Sequence, residues 1–188
     1  MPLEIISDPA GCIRRAAKRK DINDAVRMMA VNSFILAFSL LFAVFTPVMF
    51  RATPLMALST GVVAFSVAAL FCGVFGWTVQ VVANALGGRG QYFHGLTAVS
   101  YAMAAPSLGI LISALITVVP IVRPFSFVIL VPSFGLGLAT LYRAIRDMFR
   151  VEMATAAITV FICAVSFLLA LYVTVTLGIL SSGDFLRI

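Results

Sequence analysis

The stretch LMALSTGVVAFSVAALFCGVFGWTVQVV, residues 55–82, decides the fold class of this chain. It runs without a single Asp, Glu, Lys, Arg or His. About 20 mostly apolar residues cross the hydrocarbon core of a bilayer as a helix. A longer stretch still spans the bilayer when the helix tilts. The sequence therefore predicts a transmembrane helix at these residues.

Four further apolar stretches flank this one, at residues 28–50, 95–119, 124–141 and 154–180. Across all 188 residues the chain is 62% hydrophobic and 11% charged, whereas a soluble domain is about 45–50% apolar and about 25% charged. One soluble core of this size cannot hide the excess, so apolar side chains face lipid. We predict an all-α, polytopic membrane protein with five transmembrane helices in one membrane domain, residues 28–188.

Residues 1–27 are polar and basic, with no apolar core ahead of the first span, which is therefore predicted to be an uncleaved anchor. Asp8-Pro9 is typical of a helix start. Ile13, Ala16 and Ala17 then alternate with basic residues, as in a short amphipathic helix lying on the membrane surface. A flexible basic tail is the alternative. The residues predicted to contact anionic lipid are Arg14, Arg15, Lys18, Arg19 and Lys20.

The basic residues also predict the orientation. With five spans, Arg89 and the basic residues of segments 1–27 and 143–150 share one side, and only Arg51, Arg123 and Arg187 fall on the other. Positive residues accumulate on the cytoplasmic side of membrane proteins. The N-terminus is therefore predicted to be cytoplasmic, and the C-terminus outside or lumenal.

The spans offer few groups for chemistry. Residues 28–50, 55–82, 95–119 and 154–180 contain no ionisable Asp, Glu, Lys, Arg or His. Proton-coupled transporters, ion pumps and intramembrane metalloproteases or aspartyl proteases need such groups. We therefore predict no enzymatic activity and no catalytic residue.

No cofactor, metal or nucleic-acid site is predicted. His94 is the only histidine, and the three cysteines are far apart, so the chain lacks the ligand spacing of a metal centre. The net charge of +6 is split among short loops. This distribution indicates membrane topology and lipid contact rather than nucleic-acid binding.

A glycine-rich loop follows the second span. Gly87 and Gly88 precede Arg89 and Gly90. The loop lacks the Gly-Lys-Ser/Thr ending of a phosphate loop, and glycine suits a tight turn that needs positive φ. We predict a structural turn; a contact between Arg89 and a lipid phosphate is the alternative.

Small residues recur along the third span at Ala98, Ala102, Ala105, Gly109 and Ser113. Such a stripe allows close approach of another helix, either within the chain or from another membrane protein. Pro106 should kink this helix, and Tyr101 precedes it by five positions. Gly135 and Gly137 are predicted to serve the same packing purpose in the fourth span.

A charged cluster follows the fourth span. A solvated helix end is the simpler interpretation, and a docking surface for a cytosolic partner is the alternative. The cluster comprises Arg143, Arg146, Asp147, Arg150 and Glu152.

The polar segment with Asp8-Pro9, the five spans and the run LGGRGQYFHGLTAVSYAMAAP together resemble the Yip family, membrane proteins named for interacting with Ypt/Rab GTPases, in a short prokaryotic form. The resemblance implies a five-span helical fold and no catalytic residues. In eukaryotic members it implies roles in vesicle traffic, membrane shaping and GTPase recruitment. The long cytosolic region and acidic aromatic motif of those members are missing here.

The sequence thus predicts a non-enzymatic membrane scaffold or membrane-organising protein whose partners are anionic lipids and other membrane proteins or further copies of itself. The residues predicted to matter for packing or interaction are Gly87, Gly88, Arg89, Tyr101, Ala102, Pro106 and Gly109. A small transporter, a channel or an accessory subunit of a membrane complex is the alternative. Clustering of Thr97, Ser100, Ser107 and Ser113 around water would favour it. A lipid-modifying enzyme ranks third because catalytic groups are missing.

Overall fold

The structure, a computed structural model, describes residues 11–13, 15, 22–45, 54–117 and 120–181. No strand occurs in these residues, so the all-helical prediction is confirmed for this part of the chain. After a short helical piece at residues 11–13 and 15, the elements in chain order are α1 (Ile22–Phe45), α2 (Pro54–Ala85), α3 (Tyr92–Ala102), α4 (Ala104–Thr117), a 3-10 helix (Pro120–Phe125), α5 (Ser126–Phe149) and α6 (Met153–Ser181).

Among the described residues, four helical segments are long and apolar enough to cross a membrane: Ile22–Leu41, Leu58–Ala85, Tyr92–Thr117 and Ser126–Phe149. Met153–Leu169 is a shorter apolar segment. Large apolar side chains such as Leu70, Phe161 and Tyr172 are about 70% exposed on the helix surfaces, as expected where lipid rather than water is the solvent. These features fit a multi-pass membrane protein, while the count of five spans stays a prediction.

The packed core lies towards the end of the bundle where α2 and α5 finish and α3 begins. Small residues line it, so the helices approach closely and leave room for a few large side chains such as Phe149. The cluster contains Cys72, Val79, Ala83, Ala98, Val99, Ala102, Leu141, Ala144, Ile145, Met148, Phe149, Ala156 and Cys163.

The third apolar stretch forms two helices, α3 and α4, separated by a turn at Met103. Pro106 has no N–H to donate to the carbonyl of Ala102, and its ring crowds that carbonyl. The helical ladder holds on both sides of the break: the Met103 N–H donates to Val99 at 2.9 Å, and the Ser107 N–H donates to Met103 at 2.9 Å. The distortion expected from Pro106 thus falls one turn before the proline.

Helix α5 extends beyond residue 141, the predicted end of the fourth span, and stops at Phe149. Arg143 and Arg146 therefore lie on the helix and are exposed, whereas Ala144 and Ile145 on its other face are fully buried. The part of the charged cluster from Arg143 to Asp147 is thus helical, as the interpretation of a solvated helix end implies. The apolar face of α5 continues for two more turns beyond residue 141.

The short N-terminal helical piece contradicts one expectation. Ile13 is fully buried in the packed core, and Cys12 is buried against Met28 and Ala104. Ile13 therefore packs on protein, whereas an amphipathic helix lying on the membrane surface would turn this side chain towards lipid. Arg15 is exposed, with Nη2 3.2 Å from the Sγ of Cys12. The predicted lipid contacts Arg14, Lys18, Arg19 and Lys20 lie outside the described residues.

Candidate functional site

The glycine-rich loop begins as a helix cap. At the end of α2, the Gly87 N–H donates to the carbonyl of Asn84 at 3.1 Å, and the Gly88 N–H donates to that of Ala83 at 2.9 Å. Gly87 has a φ of 95°, the left-handed conformation in which glycine commonly ends helices. A Cβ at Gly88 would lie 2.7 Å from the carbonyl oxygen of Ala83. Glycine is therefore required at position 87 by its backbone conformation and at position 88 by the nearby carbonyl of Ala83.

The side chain of Asn84 closes the loop. Its Nδ2 donates to the carbonyl of Gly90 at 2.9 Å, and its Oδ1 accepts the Gly90 N–H at 2.9 Å. A carboxamide bonded twice to one backbone residue fixes the path between the end of α2 and the start of α3. The sequence marks Asn84 and the glycine run as the end of the second span, but it does not predict the two bonds from Asn84 to Gly90.

The loop is also fastened to the end of α5. The Arg89 N–H donates to the carbonyl of Phe149 at 3.2 Å, and a Cβ at Gly90 would overlap Cδ1 and Cε1 of the Phe149 ring. Helix α5 ends at Arg150, whose φ of 55° is left-handed. Arg89 and Arg150 are both exposed, so their side chains leave the bundle at the same end. We call residues 84–91 together with Phe149 and Arg150 the loop platform.

The backbone of the loop platform holds no free donor across residues 86–91. The N–H groups of Leu86, Gly87, Gly88, Arg89, Gly90 and Gln91 all donate to protein acceptors. A phosphate-binding loop needs several converging free N–H groups. A lipid phosphate at this loop would therefore be bound by side chains, of which Arg89 is the one that the sequence analysis named.

His94 caps helix α3. Its Nδ1 accepts the Gln91 N–H at 2.9 Å, and its ring centroid lies 3.8 Å from that of Phe93 and 6.1 Å from that of Phe149. One ring nitrogen is thus taken up by the start of the helix. This arrangement gives His94 a structural role at the start of α3.

The small-residue stripe of the third stretch faces α5. A Cβ at Gly109 would overlap the hydroxyl of Ser133, and a Cβ at Gly137 would lie 2.7 Å from Cγ of Pro106 and 2.9 Å from the carbonyl oxygen of Ala102. Ala102, Pro106 and Gly109 therefore lie where α4 and the end of α3 meet α5. At these three positions the third stretch packs within the chain, and a contact of the stripe with another membrane protein stays a prediction.

Gly135 does not share that role. A Cβ built on it meets nothing within 4 Å, so the expectation that it packs like Gly137 was wrong. Gly135 and Gly137 are two positions apart in the sequence, which places them about 200° apart around α5. Gly137 consequently faces Pro106 while Gly135 faces away from the bundle.

A second close approach joins α2 and α3. A Cβ at Gly76 would lie 2.9 Å from the Cα of Leu96, and a Cβ at Gly95 would overlap the carbonyl oxygen of Gly76. Sequence reasoning missed this pair because the two glycines lie in different apolar stretches. The partner of a small residue becomes visible only once the two helices are placed side by side.

Asn32 is a polar residue inside the bundle that the sequence analysis did not single out. It is 1% exposed. Its Nδ2 donates to the Ser100 carbonyl at 2.6 Å, and its Oδ1 accepts the Ser107 hydroxyl at 3.3 Å. Asn32 thus ties α1 to both sides of the break at Met103. The hydroxyls of Ser33 and Ser100 are buried with no protein hydrogen-bond partner.

Tyr101 lies beside this break, half-buried, and packs against both the main core and the cluster of Cys12, Met28 and Ala104. Its position fits a packing residue that joins the N-terminal piece to α3. An interaction with another protein stays a prediction for Tyr101, as for the other packing residues.

Metal chemistry finds no support in the described part of the chain, which holds no group of three or more His, Cys, Asp or Glu side chains that could hold an ion. Cys12, Cys72 and Cys163 are free and buried. They serve as small apolar packing residues.

Of three comparisons with known proteins, one finds a match. No curated protein and no solved structure matches the chain. The family model for the Yip1 domain matches residues 3–175. Members of that family are generally non-enzymatic membrane proteins that interact with other proteins. The match covers every helix described here except the last turns of α6, and by it the chain belongs to the Yip1 domain family.

Proposed function

We propose that the chain is a non-enzymatic membrane scaffold. Its bundle holds the loop platform rigidly at the cytoplasmic surface, where anionic lipids and other membrane proteins or further copies of the chain bind. The N-terminus is cytoplasmic in this proposal, and α6 forms the fifth span. Membership of the Yip1 domain family supports a non-enzymatic membrane protein that interacts with other proteins. The interior of the bundle favours a scaffold over a transporter or channel, that is, over a conduit.

The distribution of hydroxyls in the interior carries the proposal. A conduit needs polar groups along one continuous wet path. Thr97 donates to the carbonyl of Phe93 in its own helix at 2.7 Å, and Ser107 donates to that of Ala104 at 3.1 Å. Ser113 instead lines a separate and mainly apolar crevice. Since these hydroxyls face different surroundings and are partly used within their own helices, a dry scaffold is favoured.

The loop platform is the surface that such a scaffold would present. Its backbone is fixed by the bonds from Asn84 and to Phe149, so its exposed side chains start from defined positions. Arg143 and Arg146 extend the same basic surface along α5. Arginine suits phosphate and carboxylate groups because its guanidinium binds them with two parallel hydrogen bonds.

One observation favours the second candidate, a small transporter or channel. The hydroxyls of Ser33 and Ser100 are buried without a protein partner, and buried polar groups are normally satisfied by protein or by water. A water-filled path through this region would satisfy them. One or two isolated water molecules would satisfy them equally well and would fit the scaffold.

Site-specific photo-crosslinking in intact membranes tests the scaffold. A photoreactive residue replaces Arg89 or Arg146 on the platform side, or Leu70 on the lipid-facing surface of α2 as a matched control. We expect one discrete protein adduct from the platform positions and none from Leu70. Adducts that are equally diffuse at all three positions would contradict the proposal, as would adducts to lipid alone.

A further inference from the structure

A crevice of about 880 Å³ opens in the half of the bundle opposite the loop platform. It is lined by the second half of α1, the first half of α2, the end of α4 and single residues of α5 and α6. Along α2 it extends from Thr60 to Phe71, which is about 16 Å at 1.5 Å per residue. The hydrocarbon core is about 30 Å thick, so the crevice has the depth of one leaflet.

The lining chemistry is that of hydrocarbon. Most of it is Leu, Val, Ala, Ile and Phe. Of its few hydroxyls, Ser39 donates to the carbonyl of Ile35 at 2.6 Å and Thr117 donates to that of Ala114 at 2.7 Å, each within its own helix. Water gains too few hydrogen bonds in such a place to remain there. A polar ligand would lose its hydration there and would gain equally few hydrogen bonds from the protein.

An aromatic floor closes the crevice near the middle of the bundle. The rings of Phe71 and Phe167 meet edge to face with centroids 5.2 Å apart, and Phe75 stacks on Phe71 at 5.5 Å. Beyond this floor lies a separate cavity of about 110 Å³ beside Met103 and Pro106. The crevice therefore runs from Thr60 and Thr117 to a closed end near the middle of the bundle.

The closed end distinguishes a lipid chain from a protein helix. A transmembrane helix crosses the whole hydrocarbon core of about 30 Å, and the aromatic floor at Phe71 and Phe167 would stop it from continuing along the crevice. An acyl chain is thinner and ends near the midplane, where the floor lies.

We propose that this crevice binds one phospholipid through an acyl chain. The lipid comes from the leaflet on the side of the connection between α1 and α2. Its chain lies between α2 and α4, with the terminal methyl on Phe71 and Phe167 and the headgroup level with Thr60 and Thr117. The inference needs only the membrane location of the chain and is independent of the scaffold role.

Fluorescence quenching by brominated lipid tests this site in the full chain. Trp77 is the single tryptophan and lies outside the crevice, so Trp77→Phe removes the background and Phe167→Trp places a reporter at the floor. The probe is a diacyl phosphatidylcholine vesicle with bromine near the ends of the acyl chains. We expect strong quenching, and at least a two-fold loss of it when Ala64→Phe and Ala68→Phe fill the crevice. Ala157→Phe on the exposed face of α6 is the matched control and should leave quenching unchanged.

Two results would overturn the proposal. Quenching that the filling substitutions do not change would mean that bulk lipid reaches residue 167 by another route. Quenching that is absent, or that falls as the protein-to-lipid ratio rises, would mean that the crevice is closed or is filled by a second copy. Native mass spectrometry of the unsubstituted chain provides a check that does not depend on the variants folding. One phospholipid per chain should survive mild detergent, and a lipid-free chain would contradict the site.

Discussion

Gly90 lies so close to the buried ring of Phe149 that a Cβ at residue 90 would overlap two ring carbons. The neighbouring Arg89 N–H bonds to the carbonyl of Phe149. The connection between α2 and α3 therefore rests directly on the end of α5. The consecutive helices α2 and α3 are thus joined to the more distant α5 at one end of the bundle, and the loop platform takes its rigidity from this contact.

The contact predicts a contrast between two loop glycines. Gly90→Ala should destabilise the protein by about 1–3 kcal/mol, because the added carbon overpacks the site. Gly87→Ala should cost about 1–2 kcal/mol from left-handed strain alone, since nothing lies within 4 Å of its Cβ position. Unfolding by titration with a denaturing detergent measures both.

A double substitution identifies the cause. Phe149→Ala makes room for the methyl group, so it should be less damaging in the Gly90→Ala background than in the wild type, whereas with Gly87→Ala the effects should add. Additive effects in both pairs would mean that residue 90 does not press on residue 149.

Two glycines of α5, Gly137 and Gly135, allow a matched test of how this helix packs against the third apolar stretch. Gly137→Ala and Gly135→Ala gain the same helix propensity, about 1 kcal/mol. Only the first pushes a methyl group towards Pro106 and the carbonyl of Ala102. Gly137→Ala should therefore be less stable than Gly135→Ala by about 1–3 kcal/mol in the same detergent titration. Equal stabilities would mean that α5 does not pack on the break at this point.

Asn32 should hold the broken helix in place. Asn32→Leu leaves the Ser100 carbonyl without its donor and should destabilise the protein by about 1–2 kcal/mol. Ser66→Ala is the control, because that hydroxyl is exposed and bonds only to Val62 in its own helix. In a double-mutant cycle with Ser107→Ala, the two losses should be less than additive. Fully additive losses would show that the bond between the Asn32 and Ser107 side chains has no energetic weight.

Topology can be read with introduced cysteines, because Cys12, Cys72 and Cys163 are buried and should react slowly. Five spans and a cytoplasmic N-terminus place Arg89→Cys on the cytoplasmic side and Arg187→Cys on the opposite side. A membrane-impermeant maleimide, applied to sealed vesicles of each orientation, should label the two positions oppositely. Labelling of both positions from the same side would exclude the five-span arrangement.

Much of the fold was predictable because a bilayer restricts which structures an apolar stretch of sequence can adopt. A run such as residues 55–82 has one stable form in a bilayer, since a helix satisfies every backbone hydrogen bond internally. The turn at Gly87 was predictable for a related reason, because few other residues adopt positive φ without strain. The Yip family resemblance also rested on local sequence and is confirmed by the family match over residues 3–175.

The misses concern relations between distant residues. Nothing near Ile13 in the sequence says that a bundle surface is available to bury it, and nothing near Gly76 says that Gly95 will approach it. The buried face formed by Ala144, Ile145, Met148 and Phe149 beyond the fourth span was not predictable, because its partners lie on other helices. Asn32 was passed over because its value comes from carbonyl and hydroxyl groups on α3 and α4.

Flux through reconstituted vesicles tests the scaffold proposal most directly. The purified chain is placed in vesicles that contain reporters for protons, potassium and a small neutral solute, and the rates are compared with those of protein-free vesicles. A scaffold with a dry interior predicts equal rates for all three. A saturable flux that scales with the amount of protein and changes in Ser100→Leu would contradict the account and establish a conduit through the bundle.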